Sequence, residues 1–129
     1  MPKKLFFVFL AAFALNMIWE FAHSVLYASY QSGEITNFIL FRAAVWDATI
    51  ILVLVISTYA LKTNRTVFIV IGGLVVSVAI ELWALQTGRW AYDISMPLIP
   101  FLNIGLTPTI QLALTGYIAQ KLVWYKIRK

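Results

Sequence analysis

NMIWEFAHSVLY, residues 16–27, sets an asparagine, a glutamate and the chain's single histidine, Asn16, Glu20 and His23, into its first long apolar run. The spacing is i, i+4, i+7, which in a helix aligns the three side chains along one stripe. Polar groups so placed need partners, and those have to come from elsewhere in the chain.

The 129 residues are 62% hydrophobic and 12% charged, against ~45–50% and ~25% in soluble domains. Four apolar runs account for the excess, at about 5–27, 38–61, 67–87 and 101–124. Each matches the roughly 20 residues needed to cross a ~30 Å hydrocarbon core. The expected fold is therefore all-α, an integral membrane four-helix bundle forming a single transmembrane domain over residues 1–129. The first run follows Lys3 and Lys4 as a secretory signal would. It exceeds a ~7–15-residue signal core, contains Glu20 and lacks a small-x-small cleavage site, so it reads as a retained helix. The absence of cysteine excludes disulfides, thiolate metal sites and thiol catalysis.

Basic residues set the orientation. Lys3, Lys4, Lys62, Arg65, Lys121, Lys126, Arg128 and Lys129 fall on one side of the four runs, and only Arg42 and Arg89 on the other. The positive-inside rule then predicts a multi-pass protein of the cell membrane with both termini cytoplasmic. The net charge of +5 reads as topology and attraction to anionic lipid. No basic run interleaved with aromatics points to nucleic acid. KTNRT, residues 62–66, reads as a tight turn, and its Asn64-Arg65-Thr66 sequon matters only if translocated. The outer connections, ASYQSGEITN at 28–37 and TGRWAYDISMPLIP at 87–100, read as longer loops, the second punctuated by Gly88, Pro97 and Pro100. No run of residues recurs as an inverted repeat. The expected partners are the bilayer and, given the small interior, further copies in a homo-oligomer or a larger membrane complex.

Depth arithmetic brings the polar residues together. Glu20 lies ~22 Å up the first helix, Asp47 ~10 Å down the second, Glu81 ~21 Å up the third, and Thr107 and Gln111 ~8–13 Å down the fourth. An acid at the bilayer centre costs ~2.5–3.5 kcal/mol on insertion scales, so three acids in one layer imply a compensating role. Gly73, Ser77 and Glu81 form an i, i+4, i+8 line, as do Asn103, Thr107, Gln111 and Thr115 on the next helix. Pro108 is expected to free a carbonyl near Ile104 at that depth. Asn16, Glu20 and His23 are thus expected to face Asp47, Glu81 and Gln111 across a pocket in the outer leaflet, with Arg89, Trp90 and Tyr92 at its rim.

Several chemistries compete for these residues. Glu20 and His23 form a Glu-x-x-His pair which, with Asp47 and Glu81, is a weak metal candidate, since dinuclear carboxylate sites normally use two such pairs. The simpler reading has His23 donating to a carboxylate or capping its helix, with no cofactor. Crowded carboxyls in a low dielectric hold at least one proton, which suits acid–base chemistry. The alternative is a hydrogen-bond network that specifies helix packing. Trp19, Trp46, Trp83 and Trp90 read either as an aromatic belt or as walls that stabilise a carbocation.

ELWALQTGRWAYDISMPLIP, residues 81–100, is similar to a stretch of membrane carotenoid hydratases and lycopene-cyclase-type domains. The similarity covers under a fifth of the chain and implies Glu81 as an acid, with Thr87, Gly88 and Tyr92 as motif positions. The NxxWE pattern at 16–20 and GRWxYxxxMPxxP at 88–100 also resemble small prokaryotic four-helix membrane proteins. That likeness implies no activity.

The first functional expectation is an acid–base isomerase, cyclase or hydratase acting on a lipid or isoprenoid. Glu81 and Asp47 would donate and accept the proton, and Glu20 and His23 would tune them. Asn16, Trp19, Trp46, Trp83, Arg89, Tyr92, Thr107 and Gln111 would bind substrate. A proton- or cation-coupled transporter and a structural subunit are the alternatives. The runs FFVFLAAFAL, ILVLVIS and FIVIGG offer little to line an inward path, which favours a one-sided pocket.

Overall fold

Proline needs no N–H partner in the first turn of a helix, and Pro2 opens α1 (Pro2–His23). The computed structural model describes residues 2–127; Arg128 and Lys129, which the charge reading used, lie outside the described residues, as does Met1. The Thr36 hydroxyl accepts from the Ile39 N–H at 3.2 Å and starts α2 (Asn37–Leu61). The Asn64 side chain accepts from the Val67 N–H at 3.0 Å and starts α3 (Arg65–Gln86). Both are side-chain caps on otherwise orphaned amides. Residues 62–64 join α2 to α3, so these two helices run antiparallel. The fourth helix, α4 (Leu106–Ile127), lies against α3 and α1, and α1 also packs on α2.

A small sheet, which the all-α expectation lacked, ties the other end together. Strands β1 (Tyr27–Tyr30) and β2 (Trp90–Tyr92) pair antiparallel, with Tyr27 opposite Tyr92 and Tyr30 opposite Trp90. Residues 30–33 fold back tightly. Tyr30 and Gly33 exchange backbone hydrogen bonds at 3.1 and 2.9 Å, and Gln31 and Ser32 both take positive φ, 49° and 63°, the pattern of a two-residue primed turn. At the end of α3, Gly88 adopts φ +68°, the Arg89 N–H bonds to the Ala84 carbonyl at 2.8 Å and the Gly88 N–H to that of Leu85 at 3.4 Å. This Schellman closure turns the chain directly into β2.

The boundaries differ from the sequence reading where loops take over. The first helix ends at His23, because residues 24–26 tighten into a 3-10 turn before β1. The fourth begins at Leu106 instead of near 101, since Phe101 and Asn103 have left-handed φ of 70° and 54°. Pro108 therefore sits in the first turn of α4, where its missing N–H costs nothing. It opens no gap inside a helix, and the Ile104 carbonyl accepts from the Ile99 N–H at 2.8 Å.

Three of the four helices, α1 to α3, are long and apolar enough to cross a membrane. The fourth matches them in length, at 22 residues, but carries a buried polar face of Thr109, Gln111, Thr115 and Gln120. Its low hydropathy follows from its place at the centre of the bundle. Polar groups are buried beside a hydrophobic core while large apolar side chains remain outside. Asn16, Ser77, Glu81 and Gln111 are buried, while Phe6, Ile18, Phe38, Val53, Ile71 and Val75 are exposed on the helix surfaces. Gly73 permits the close approach of α3 to α4: a Cβ there would meet the Ala113 backbone N at 2.8 Å and Cα at 2.9 Å.

Candidate active site

The i, i+4, i+7 stripe of the first helix meets its partners on α2 and α4. The Gln111 amide lies at the junction, its Nε2 donating toward Asn16 Oδ1 at 2.9 Å, Glu20 Oε1 at 2.8 Å and Asp47 Oδ2 at 2.9 Å. An amide nitrogen has two hydrogens, so three acceptors share two bonds. Asn16 donates to the Ala12 carbonyl at 2.8 Å and to Thr115 Oγ1 at 3.2 Å, while Thr115 back-bonds to the Gln111 carbonyl at 2.7 Å. The expected facing of Asn16 and Glu20 with Asp47 and Gln111 is met by contact.

His23 stands behind this cluster. Its Nε2 lies 3.2 Å from Glu20 Oε2 and its Nδ1 lies 3.0 Å from Thr107 Oγ1. With Glu20 as acceptor, Nε2 carries the hydrogen and Nδ1 accepts from the threonine hydroxyl, an assignment made from the partners. Both ring nitrogens are thereby used, and the ring is buried.

Glu81 is held separately, by β2. The Trp90 indole donates to Glu81 Oε2 at 3.1 Å and the Tyr92 hydroxyl donates to the same oxygen. The Gly105 N–H in turn donates to the Tyr92 oxygen at 2.9 Å. Glu81 Oε1 has no hydrogen-bond partner among the described residues. Burial, reinforced by the hydrogen bond to Glu81, pushes the Tyr92 hydroxyl well above the ordinary phenol range. Burial and the charge of Glu81 do the same to Tyr27. In the adjoining loop, hydrogen bonds from Ser95 hold the exposed Asp93 carboxyl below the usual aspartate value.

Glu20, Asp47 and Glu81 open onto one cavity of about 460 Å³. Its walls come chiefly from α2 and α3, with Ile39, Ile50, Ile80 and Leu112 as hydrocarbon, and with Tyr27, Tyr30, Arg89 and Trp90 from the sheet and its flank. Trp46 and Trp83 border it while 64% and 50% exposed. The cavity is thus bordered by exposed side chains of α2 and α3, helices that also carry exposed Phe38, Val53, Ile71 and Val75.

Of the residues expected at the site, Glu20, Asp47, Glu81, Trp46, Trp83, Arg89 and Gln111 line this cavity. Asn16, His23 and Thr107 do not: they form the buried layer that positions Glu20 and Gln111. Tyr92, expected at the rim, supports Glu81 from behind. Trp19 packs its ring edge-on to His23 at 6.3 Å, away from the cavity, and its indole N–H is buried without a partner. Glu20, His23, Asp47 and Glu81 form no cluster able to hold an ion among the described residues. Gln111 bonds to both Glu20 and Asp47, and Glu81 is turned to Trp90 and Tyr92.

Arg42, Tyr30 and Ser77 also line the cavity, and none was singled out as a ligand contact. The signal for Ser77 was its place one turn before Glu81. Arg42 lies one and a half turns before Asp47.

No family model matches the chain, and no curated protein or solved structure is significantly similar to it.

Proposed function

We propose that the chain is a multi-pass protein of the cell membrane in which α4 is a fourth span, and that it is an acid–base enzyme of the isomerase, cyclase or hydratase type acting on a lipid or isoprenoid. The membrane reading is supported by the many large apolar side chains on the outer faces of the helices, with a polar layer buried inside. The orientation is supported by Lys3, Lys4, Lys62, Arg65, Lys121 and Lys126, all at the end that carries the 62–64 turn and the termini. The cavity then lies in the outer half, with both termini cytoplasmic.

One observation carries the enzymatic reading: three carboxyls share a cavity whose walls are largely hydrocarbon and which Trp46 of α2 and Trp83 of α3 border from the exposed side. A chain-like substrate passes from the bilayer between α2 and α3. Glu81 takes two hydrogen bonds on one oxygen, an environment suited to a carboxylate that accepts a proton through the other. Asp47 shares the Gln111 amide with Glu20, and a crowded pair of this kind holds one proton between them. These hydrogen bonds support the reverse of the order expected from the sequence, with Asp47 as donor and Glu81 as acceptor. Protonation of a substrate double bond by Asp47 leaves a cation beside the faces of Trp46 and Trp83, and loss of a neighbouring proton to Glu81 completes an isomerisation. Ring closure or capture by water diverts the same cation to the other two outcomes.

A transporter needs access from both sides, and here the core below the polar layer is Val8, Ala12, Ile51, Val55 and Ile69, all fully buried. That argues for a one-sided pocket. The test is native mass spectrometry of gently purified protein, with identification of bound lipid. Wild type is expected to carry converted lipid and Glu81→Gln, equally folded, only its precursor. Identical lipid in both refutes the acid–base role and leaves transport or a structural role.

A further inference from the structure

Arg42, near the start of α2, and Arg89, the residue before β2, both line this cavity at the end where α2 begins and α3 finishes. Their guanidinium carbons lie 5.6 and 5.9 Å from the centre of the same ring, that of Tyr30. Arg42 donates from Nη2 to the Tyr30 hydroxyl at 2.9 Å, and Arg89 also lies 5.4 Å from the Trp83 ring. Among the described residues neither meets a carboxylate, since the single ion pair is His23 with Glu20. Guanidinium groups steadied against aromatic faces keep N–H edges free for a multi-oxygen anion.

Beneath them the wall changes character. Arg42 lies five residues into α2, ~7.5 Å from its start, and Asp47 five residues further, another ~7.5 Å down. Ile39, Ile50, Ile80 and Leu112 line the way. Ser77 contributes a second signal: its hydroxyl is buried in a residue only 3% exposed, lines the cavity, and has no hydrogen-bond partner. A helical serine ordinarily back-bonds to the preceding turn, so this one is left to a group within the cavity. The charges fix which way round a ligand lies. Three acids below repel an anion from the floor, and two arginines above attract it to the mouth.

We propose that the ligand is a single-chain amphiphile with a phosphate monoester head, held by Arg42 and Arg89 at the mouth while its hydrocarbon chain descends between α2 and α3. A cavity of about 460 Å³ is within the ~300–1,000 Å³ of ligand pockets. It takes one chain and not a whole two-chain phospholipid. The inference rests on the lipid-directed reading above and narrows its substrate class. It also places the atoms that meet Asp47 and Glu81 a few bonds from the head.

The probes are 1-oleoyl lysophosphatidate and monoolein, which carry the same acyl chain with and without the phosphate. Binding to the full chain in dodecyl maltoside micelles is read by tryptophan fluorescence, with stoichiometry from native mass spectrometry. Lysophosphatidate is expected to bind one to one and at least about tenfold tighter than monoolein, the worth of one charge-assisted contact. Arg42→Gln and Arg89→Gln should each weaken it by about that factor, Arg89→Lys by less, and Lys121→Gln not at all. Equal affinity for the two lipids, unchanged binding by both arginine variants, or displacement by inorganic phosphate at equal concentration each overturns the proposal. No turnover is needed, so the two readings fail separately. Lysophosphatidate bound alike by wild type and Glu81→Gln, but never converted, counts against the enzyme and not against the site. Conversion of a neutral lipid with no affinity for the phosphate form does the reverse.

Discussion

Replacing Gln111 with leucine removes the one donor that reaches Asn16, Glu20 and Asp47, at 2.9, 2.8 and 2.9 Å. Two amide hydrogens serve three acceptors, so two full hydrogen bonds are lost. The acceptors do not suffer equally. Asn16 Oδ1 keeps only a long contact to the Thr115 hydroxyl at 3.4 Å, Glu20 retains His23 on its other oxygen, and Asp47 is left with its side-chain hydrogen bond to Glu20 alone. A buried polar group stripped of its partner costs ~1–3 kcal/mol, which makes the change ~2–6 kcal/mol for two. Leucine is close to glutamine in volume, so little of this comes from a cavity. Gln111→Glu should be worse still, because it adds a third acid where the donor stood. The free energy of unfolding by SDS titration in mixed micelles reads the difference directly. A Gln111→Leu variant within about 0.5 kcal/mol of the parent, the usual scatter of neutral substitutions, would show that the polar layer is not held together by this amide.

Gly73→Ala puts a methyl 2.8 Å from a backbone nitrogen of α4 and should lose ~1–3 kcal/mol; Gly72→Ala, which meets only the flexible Leu54 side chain at 3.0 Å, is the near-neutral control, measured by the same titration. Tyr92 has a hydroxyl pushed up in the folded protein, so its contribution to stability is complete below the unfolded value of about pH 10 and is lost as the pH rises through the folded one. Unfolding free energies measured from pH 8 to about pH 11 should therefore fall at the alkaline end, and fall less steeply in Tyr92→Phe. Because the chain has no cysteine, Glu34→Cys and Thr63→Cys report sidedness cleanly. An impermeant maleimide added to intact cells should label the first and spare the second, and the opposite pattern would invert the topology.

The polar layer was legible because helical spacing is strict. Asn16, Glu20 and His23 share a stripe whatever they face, and depth counting brought Asp47 and Gln111 to the same level. The grip on Glu81 was not legible. It depends on β1 and β2, seven residues in all, pairing Tyr27 with Tyr92 across half the chain, and strands so short and so far apart leave no period to read. Arg42 and Arg89 suffered from the same blindness. As an isolated charge Arg42 marks only the side of the membrane, and Arg89 is expected at the rim without a companion; the fold brings both to Tyr30. Pro108 misled for a local reason, since a proline in a first turn and one that breaks a helix differ by where the helix starts, and that was set by left-handed residues at 101 and 103.

The central claim is that carboxyls in this cavity move a proton to and from carbon. The most direct test incubates purified protein with its co-purified lipid in D₂O and analyses the lipid by mass spectrometry for deuterium bound to carbon. The account expects incorporation with wild type and its loss with Asp47→Asn and with Glu81→Gln. Lipid that remains free of deuterium on carbon in the presence of folded wild-type protein would contradict it.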